Sequence, residues 1–91
     1  MTRTVEHKVS ERRFEMIEEG VVSLIDYRLD GEVMSILHTE VPPAVGGRGI
    51  AGELTRVALE TARKAGWQVR PVCSYAAAYI RKHPEYQDLL A

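Results

Sequence analysis

A chain of 91 residues with a formal net charge of -1 predicts one domain, 1–91, with no long-range electrostatic pull toward nucleic acid. Its single cysteine, Cys73, excludes an internal disulfide, and no stretch is apolar for the length of a membrane span. The N-terminal run turns polar too early for a secretory signal, so the reading is a cytoplasmic protein that engages neither membrane nor nucleic acid.

The first half of the chain is strand-like. Residues 13–17 partly alternate apolar and polar, and Glu19-Gly20 marks a turn. Residues 21–29 are rich in β-branched types and lack Pro and Gly. Asp30-Gly31 is a hairpin dipeptide, because glycine takes positive φ without steric cost. The return strand is 33–41, ended by Pro42-Pro43, which cannot donate to a ladder. These segments predict an antiparallel meander.

The second half opens with the glycine-rich run Gly46-Gly47-Arg48-Gly49. A helix follows, with Ile50, Leu54, Val57, Ala58, Thr61, Ala62 and Ala65 on one stripe. Glu60 and Lys64 are spaced as an i,i+4 ion pair, and Gly66 stands where a left-handed cap belongs. Residues 67–73 read as a short strand. Ser74 is positioned to cap a final helix over 75–82, and Pro84 limits its continuation. The fold class is therefore α/β with a mixed sheet: meander, glycine-rich loop, long helix, parallel strand, short helix. A strand–helix–strand unit makes the last strand parallel to the one ending at Val41. Phe14 and Trp67 read as core, and His7, Arg81, Lys82 and His83 as surface. Three scattered histidines and one cysteine show no metal-ligand spacing.

Three glycines in four residues before a helix allow consecutive amides to point at one anion, and the helix start adds unpaired donors. Arg48 adds a charged contact. No Gly-Lys-Ser/Thr follows, so this is not a P-loop, and the antiparallel strand before it is not the usual dinucleotide setting. A plain turn into a helix is the alternative.

The run Gly46-Gly47-Arg48-Gly49-Ile50-Ala51 resembles the Gln/Arg-x-x-Gly-x-Gly/Ala loop of the GNAT superfamily of N-acetyltransferases. Gly46 stands where that pattern has Gln or Arg. The likeness is closer to a short branch made of little beyond the cofactor-binding core. It runs through His7, Phe14, Leu24, Tyr27, Gly31, His38-Thr39-x-Val41-Pro42, Leu54, Cys73-x-Tyr75, Tyr79-Ile80 and His83-Pro84-Glu85-Tyr86.

The resemblance implies a GNAT-like fold and acetyl-coenzyme A or coenzyme A as cofactor. It implies an amine acceptor, whether small molecule, polyamine or protein lysine. Glu40 and Val41 would offer backbone to the pantetheine arm. Gly46, Gly47, Arg48, Gly49, Ile50 and Ala51 would hold the pyrophosphate, Cys73 would lie near the acetyl group, and Tyr75 would also bind the cofactor. Three residues are candidates for the chemistry. Cys73 is a nucleophile, or else a buried, inert thiol. His38 is a base oriented by Glu40, which shares its strand face, or else a half-buried sheet histidine. Tyr79 is the acid for the leaving thiolate, although the family's tyrosine also aligns with Ile80, or else it is packing. The other function classes are a coenzyme A binding module with little catalysis, and a partner-binding domain with no nucleotide.

Overall fold

Alternation between turn-forming positions builds one five-stranded sheet, described over residues 4–91 in a computed structural model. The strands are β1 (Val5–Lys8), β2 (Arg13–Glu18), β3 (Val21–Asp30), β4 (Val33–Glu40) and β5 (Gln68–Pro71), in spatial order β1-β2-β3-β4-β5. The first four pair antiparallel, and β5 joins β4 in parallel. Between β4 and β5 runs α1 (Ile50–Ala65), and α2 (Ser74–Lys82) follows β5. This is the mixed α/β layout that the sequence predicts, with a GNAT-like order of elements.

Turn chemistry sets the hairpins. Glu19 and Gly20 both take positive φ, at 52° and 76°, the twist that suits a two-residue link between β2 and β3. Gly66, at φ 76°, closes α1 in the left-handed conformation.

The core lies on one face of the sheet. Phe14, Ile25, Tyr27, Met34, Ile36 and Val69 meet Leu54, Ala58, Leu59 and Ala62 of α1, with Ala76 and Ile80 of α2. Burying each large apolar side chain contributes about 1.5–3 kcal/mol. Along the other face Ile17, Val22, Arg28, His38, Glu40 and Arg70 are exposed.

Several expectations change. β1 is an additional edge strand. His7 on it is not a surface residue: its ring stacks on Phe14 at 4.2 Å, and Nε2 lies 2.6 Å from Tyr27 Oη. His83 is likewise half-buried, stacked on Tyr79 at 3.9 Å. β5 stops at Pro71, so Cys73 lies two residues past the strand, at the N-cap of α2, and Ser74 is the first helical residue. On α1, Thr55 and Leu59 join the buried stripe, whereas Ala65 is exposed. The Glu60 carboxylate accepts a hydrogen bond from Tyr86 at 2.7 Å, drawn toward the C-terminal segment rather than toward Lys64. α2 itself ends at Lys82, before Pro84, as the sequence predicts, but the chain beyond it is also ordered. It continues as a 3-10 helix, Pro84–Leu89, which buries Tyr86 and Leu89. Leu90 then bridges Val69 in parallel, and the Ala91 N–H donates to the Val69 carbonyl at 3.0 Å.

Candidate functional site

The site begins with an irregularity in β4. Its pairing with β3 runs Leu24↔Glu40, Ile25↔Thr39, Asp26↔His38, then Tyr27↔Ile36, so Leu37 is an extra residue, a β-bulge. Directly paired residues share a face. Thr39 therefore lies on the helix-covered face with Ile25, and His38 and Glu40 on the opposite one. Pairing with β5 ends at Ile36↔Pro71, followed by one bond from the Cys73 N–H to the Ile36 carbonyl at 2.9 Å. Beyond it the strands part, and residues 37–40 run on with no strand pairing on the β5 side.

The loop after β4 is built from backbone. Pro43–Val45 forms a 3-10 turn whose Val45, 1% exposed, plugs into the core. Gly47 and Gly49 hold φ of 74° and 79°, which side-chain-bearing residues rarely adopt. Gly46 is extended, with φ -67° and ψ 157°, so its backbone does not require glycine. A Cβ on Gly47 would meet nothing within 4 Å. Gly49 is the N-cap of α1 and supplies no side-chain cap. The Glu53 N–H bonds to the Gly49 carbonyl, so the earlier amides of Ile50, Ala51 and Gly52 have no partner in the helix ladder. Three unpaired donors thus stand at the positive end of the helix dipole, an arrangement able to accept an anion. Buried Ile50 pins this first turn to the core, and Ala51 is half-buried. The Arg48 side chain reaches away to the β2–β3 turn, where it pairs with Glu18 at 3.1 Å and, more closely, with Glu19.

At the start of α2 stands Cys73, half-buried, its sulfur 3.4 Å from the Thr39 hydroxyl. A neutral thiol donates in this contact; toward a thiolate the hydroxyl donates. Burial pushes the thiol up. The Thr39 hydroxyl and the backbone amides of Ala76 and Tyr75 outweigh burial, so the net direction is below an ordinary thiol. The sulfur makes no capping hydrogen bond of its own, but it sits in the field of those amides.

Tyr75 and Tyr79 share a face of α2, rings 6.4 Å apart. Both approach α1 where it carries Gly52: a Cβ there would stand 3.4 Å from Tyr75 Oη and 3.8 Å from Tyr79 Cε2. Burial raises the Tyr79 hydroxyl above its ordinary value, against the pull of Arg56. It stays protonated near neutral pH and can donate a proton. His83 Nδ1 donates to the Tyr79 carbonyl at 2.8 Å.

The predicted residues thus fall into two groups. Val41, the run from Gly46 to Ala51, Cys73, Tyr75 and Tyr79 lie at the carboxyl end of the parallel strands or on the adjoining helix. His38 and Glu40 lie on the uncovered face and are exposed rather than half-buried, with Nε2 3.5 Å from Oε1. Glu40 therefore offers backbone to the parted strands and its carboxylate to the other face. Two residues escape a reading of sequence alone. Thr39 faces the sulfur only because the bulge changes the alternation. Gly52 matters through α2, which sequence spacing does not bring near it. Among the described residues, no group of three or more His, Cys, Asp or Glu side chains is placed to hold a metal ion. No helix of the described residues is long and apolar enough to cross a membrane.

The sequence and the fold also match known proteins. Residues 13–89 match the family model described as GCN5-related N-acetyl-transferase. Protein NATD1 of Mus musculus is 33% identical over 89 residues, covering 93% of this chain and 80% of that protein. Protein NATD1 of Gallus gallus is also 33% identical, with the same shares covered. Among solved structures, a GCN5-like protein from Staphylococcus aureus, determined in solution by NMR, superposes with a TM-score of 0.76. It is 26% identical and covers 97% of this chain and 87% of that chain.

Proposed function

This chain belongs to the GCN5-related N-acetyltransferase family, and from that premise we propose that it moves an acetyl group from acetyl-coenzyme A to an amine. One observation carries the reading: the unpartnered amides of Ile50, Ala51 and Gly52 sit at the same sheet end where β4 and β5 part and where Cys73 lies. An anion cradle and a free strand edge are what a pyrophosphate bearing an amide-rich arm requires.

When bound, the cofactor supplies a thioester carbonyl open to attack by an amine. The first turn of α1 holds the pyrophosphate, with Gly46, Gly47 and Gly49 shaping the approach and Arg48 bracing the rim. The edge of β4, ending in Glu40 and Val41, takes the arm as an added strand. Tyr79, held protonated by burial, donates the proton that the departing sulfur needs. His38, beside Glu40 on the open face, accepts the proton that the acceptor amine loses. Cys73 stands at the mouth of the parted strands, its thiol drawn toward the reactive thiolate form. The acceptor is a small amine, a polyamine or a protein lysine, and the lone free thiol fits a reducing, cytoplasmic setting.

A second reading rests on the link between β1 and β2. It is only the 3-10 turn Val9–Glu11, and no helix covers the second sheet face among the described residues. A chain without an acceptor wall suits a coenzyme A binding module that does not catalyse. Calorimetric titration with acetyl-coenzyme A and coenzyme A, beside an amine turnover assay, separates the two readings. Saturable binding of both with turnover is the expected result, and binding without turnover favours the module. Gly49→Val, which forces a β-branched residue to φ 79°, abolishes binding. A folded Gly49→Val protein with normal affinity would remove the cradle from the argument.

A further inference from the structure

Among the described residues two buried hydroxyls have no hydrogen-bond partner, those of Ser23 and Ser35. Ser23 pairs with Met16 and faces the helix-covered core. Ser35 points the other way. It lies between buried Met34 and Ile36, so alternation turns it to the uncovered face, where it is nevertheless only 1% exposed. Its direct neighbours in the sheet are arginines on both sides, Arg28 of β3 and Arg70 of β5. A buried hydroxyl with no partner keeps its capacity to bond, and here it lies between two guanidinium-bearing side chains. Glu15 and Asp26 pair with Arg13, Asp30 with Arg28, and Glu40 stands beside His38. Arg70 is exposed and makes no ion pair or side-chain hydrogen bond among the described residues. The Arg28–Asp30 pair is itself more than half exposed, so an entering anion can share that guanidinium. The bulge completes the arrangement. Ser35 and His38 are three positions apart, which would set them on opposite faces of a regular strand. The extra residue at Leu37 puts both on the open face, about 10 Å apart at the rise of a strand.

We propose that Ser35, Arg28 and Arg70 form an anion site on the open sheet face that receives a carboxylate or phosphate carried by the acceptor. The assignment rests on the acetyl-transfer reading above and narrows its acceptor. The substrate is an amine with an acidic group about 10 Å from the nitrogen, its amine end at His38 and its acidic end over Ser35. The flexible arginine stems part to admit the anion, the two guanidinium groups flank it, and the Ser35 hydroxyl donates to it from below. A polyamine, positive along its length, is repelled by Arg70.

Linear eight-carbon amines that differ only at the far end test this in a turnover assay. Chains ending in carboxylate or phosphate give the lowest KM, a methyl end is weaker, and a second amine is weakest. The ranking of carboxylate against phosphate names the acidic group. Arg70→Gln removes roughly tenfold of the KM advantage of the acidic ends over methyl, as loss of a charge-assisted hydrogen bond does, and Arg70→Lys returns part of it. Ser35→Ala lowers the same advantage without lowering the melting temperature, since it deletes a hydroxyl that bonds to nothing in the fold. Binding is read separately, without coenzyme A: inorganic phosphate shifts the NMR amide signals of Arg28, Ser35 and Arg70 in wild type and not in Arg70→Gln. No preference among the chain ends, a preference for the diamine, or an acidic preference that survives Arg70→Gln overturns the assignment. So does phosphate that leaves these three signals unmoved. If phosphate moves them but no amine is acetylated, the anion site stands and the acetyl-transfer reading falls. If amines are acetylated with no regard to the far end, that reading stands and the anion site falls.

Discussion

Two regions of the sheet are built from opposite materials. Around Tyr27, side chains interlock: His7 stacks on Phe14, Phe14 tilts against Tyr27 at 5.5 Å, and Tyr27 meets Trp67 at 6.3 Å. Around Gly49, side chains are withheld, and what remains is backbone with unpaired amides and an unpaired strand edge. Apolar contact and ring stacking stabilise the first region. The second leaves hydrogen-bonding capacity that the fold does not use and that a ligand can take up. The molecule separates the part that holds it together from the part that can bind.

The strongest way to break this contrast is Phe14→Ala. Phe14 is fully buried, and its loss costs about 3–5 kcal/mol, against a total of about 5–15 for a domain of ordinary stability. Urea unfolding should show a folded state lost or barely retained; a cost below about 1 kcal/mol would mean that the aromatic cluster is not the mainstay.

Thr39→Val sharpens the other side. It keeps the shape and removes the hydroxyl beside Cys73, so stability changes by only about 1 kcal/mol. The thiol should titrate higher, read as an alkaline displacement of the pH profile for iodoacetamide alkylation, with Thr39→Ser restoring it. A profile that coincides with wild type would remove Thr39 from the site.

The smallest effect is a pH slope in the aromatic region. Burial, and then the nearby Arg12, lower the His7 pKa below its ordinary 6.5. Between that value and the lowered one, the unfolded chain binds the proton more readily than the folded one, so stability falls as pH drops through this window. Above 6.5 His7 contributes no slope. Denaturant midpoints measured on either side of the window should show the fall, and His7→Phe should flatten it. A slope that survives that substitution belongs to another group.

Much of the architecture was legible in the residues. The β-branched run of β3, the Asp30-Gly31 turn and the Gly66 cap of α1 are local signals, and local signals carry to the fold. β1 was not legible, because Val5 is the only apolar residue in Val5–Lys8 and the strand exists by pairing with β2. The bulge at Leu37 was hidden for a related reason: an extra residue is extra only relative to a partner strand. The placement of His38 beside Glu40 followed from alternation within one strand. The facing of Thr39 toward Cys73 required the register between two strands. Tyr86 found Glu60 across 26 positions, a distance no local pattern spans.

The strap formed by Leu90 and Ala91 bears on how these molecules behave in a crowd. An outermost strand offers a row of free donors and acceptors to any neighbouring chain, the template from which aggregates grow. Here β5 is short, and its outer side at Val69 is bonded by the last two residues. At the far edge β1 is also short and carries the exposed charge of Glu6 beside Lys8. One margin is covered and the other is charged, so a sheet with a bare second face still resists growing sideways into a fibre.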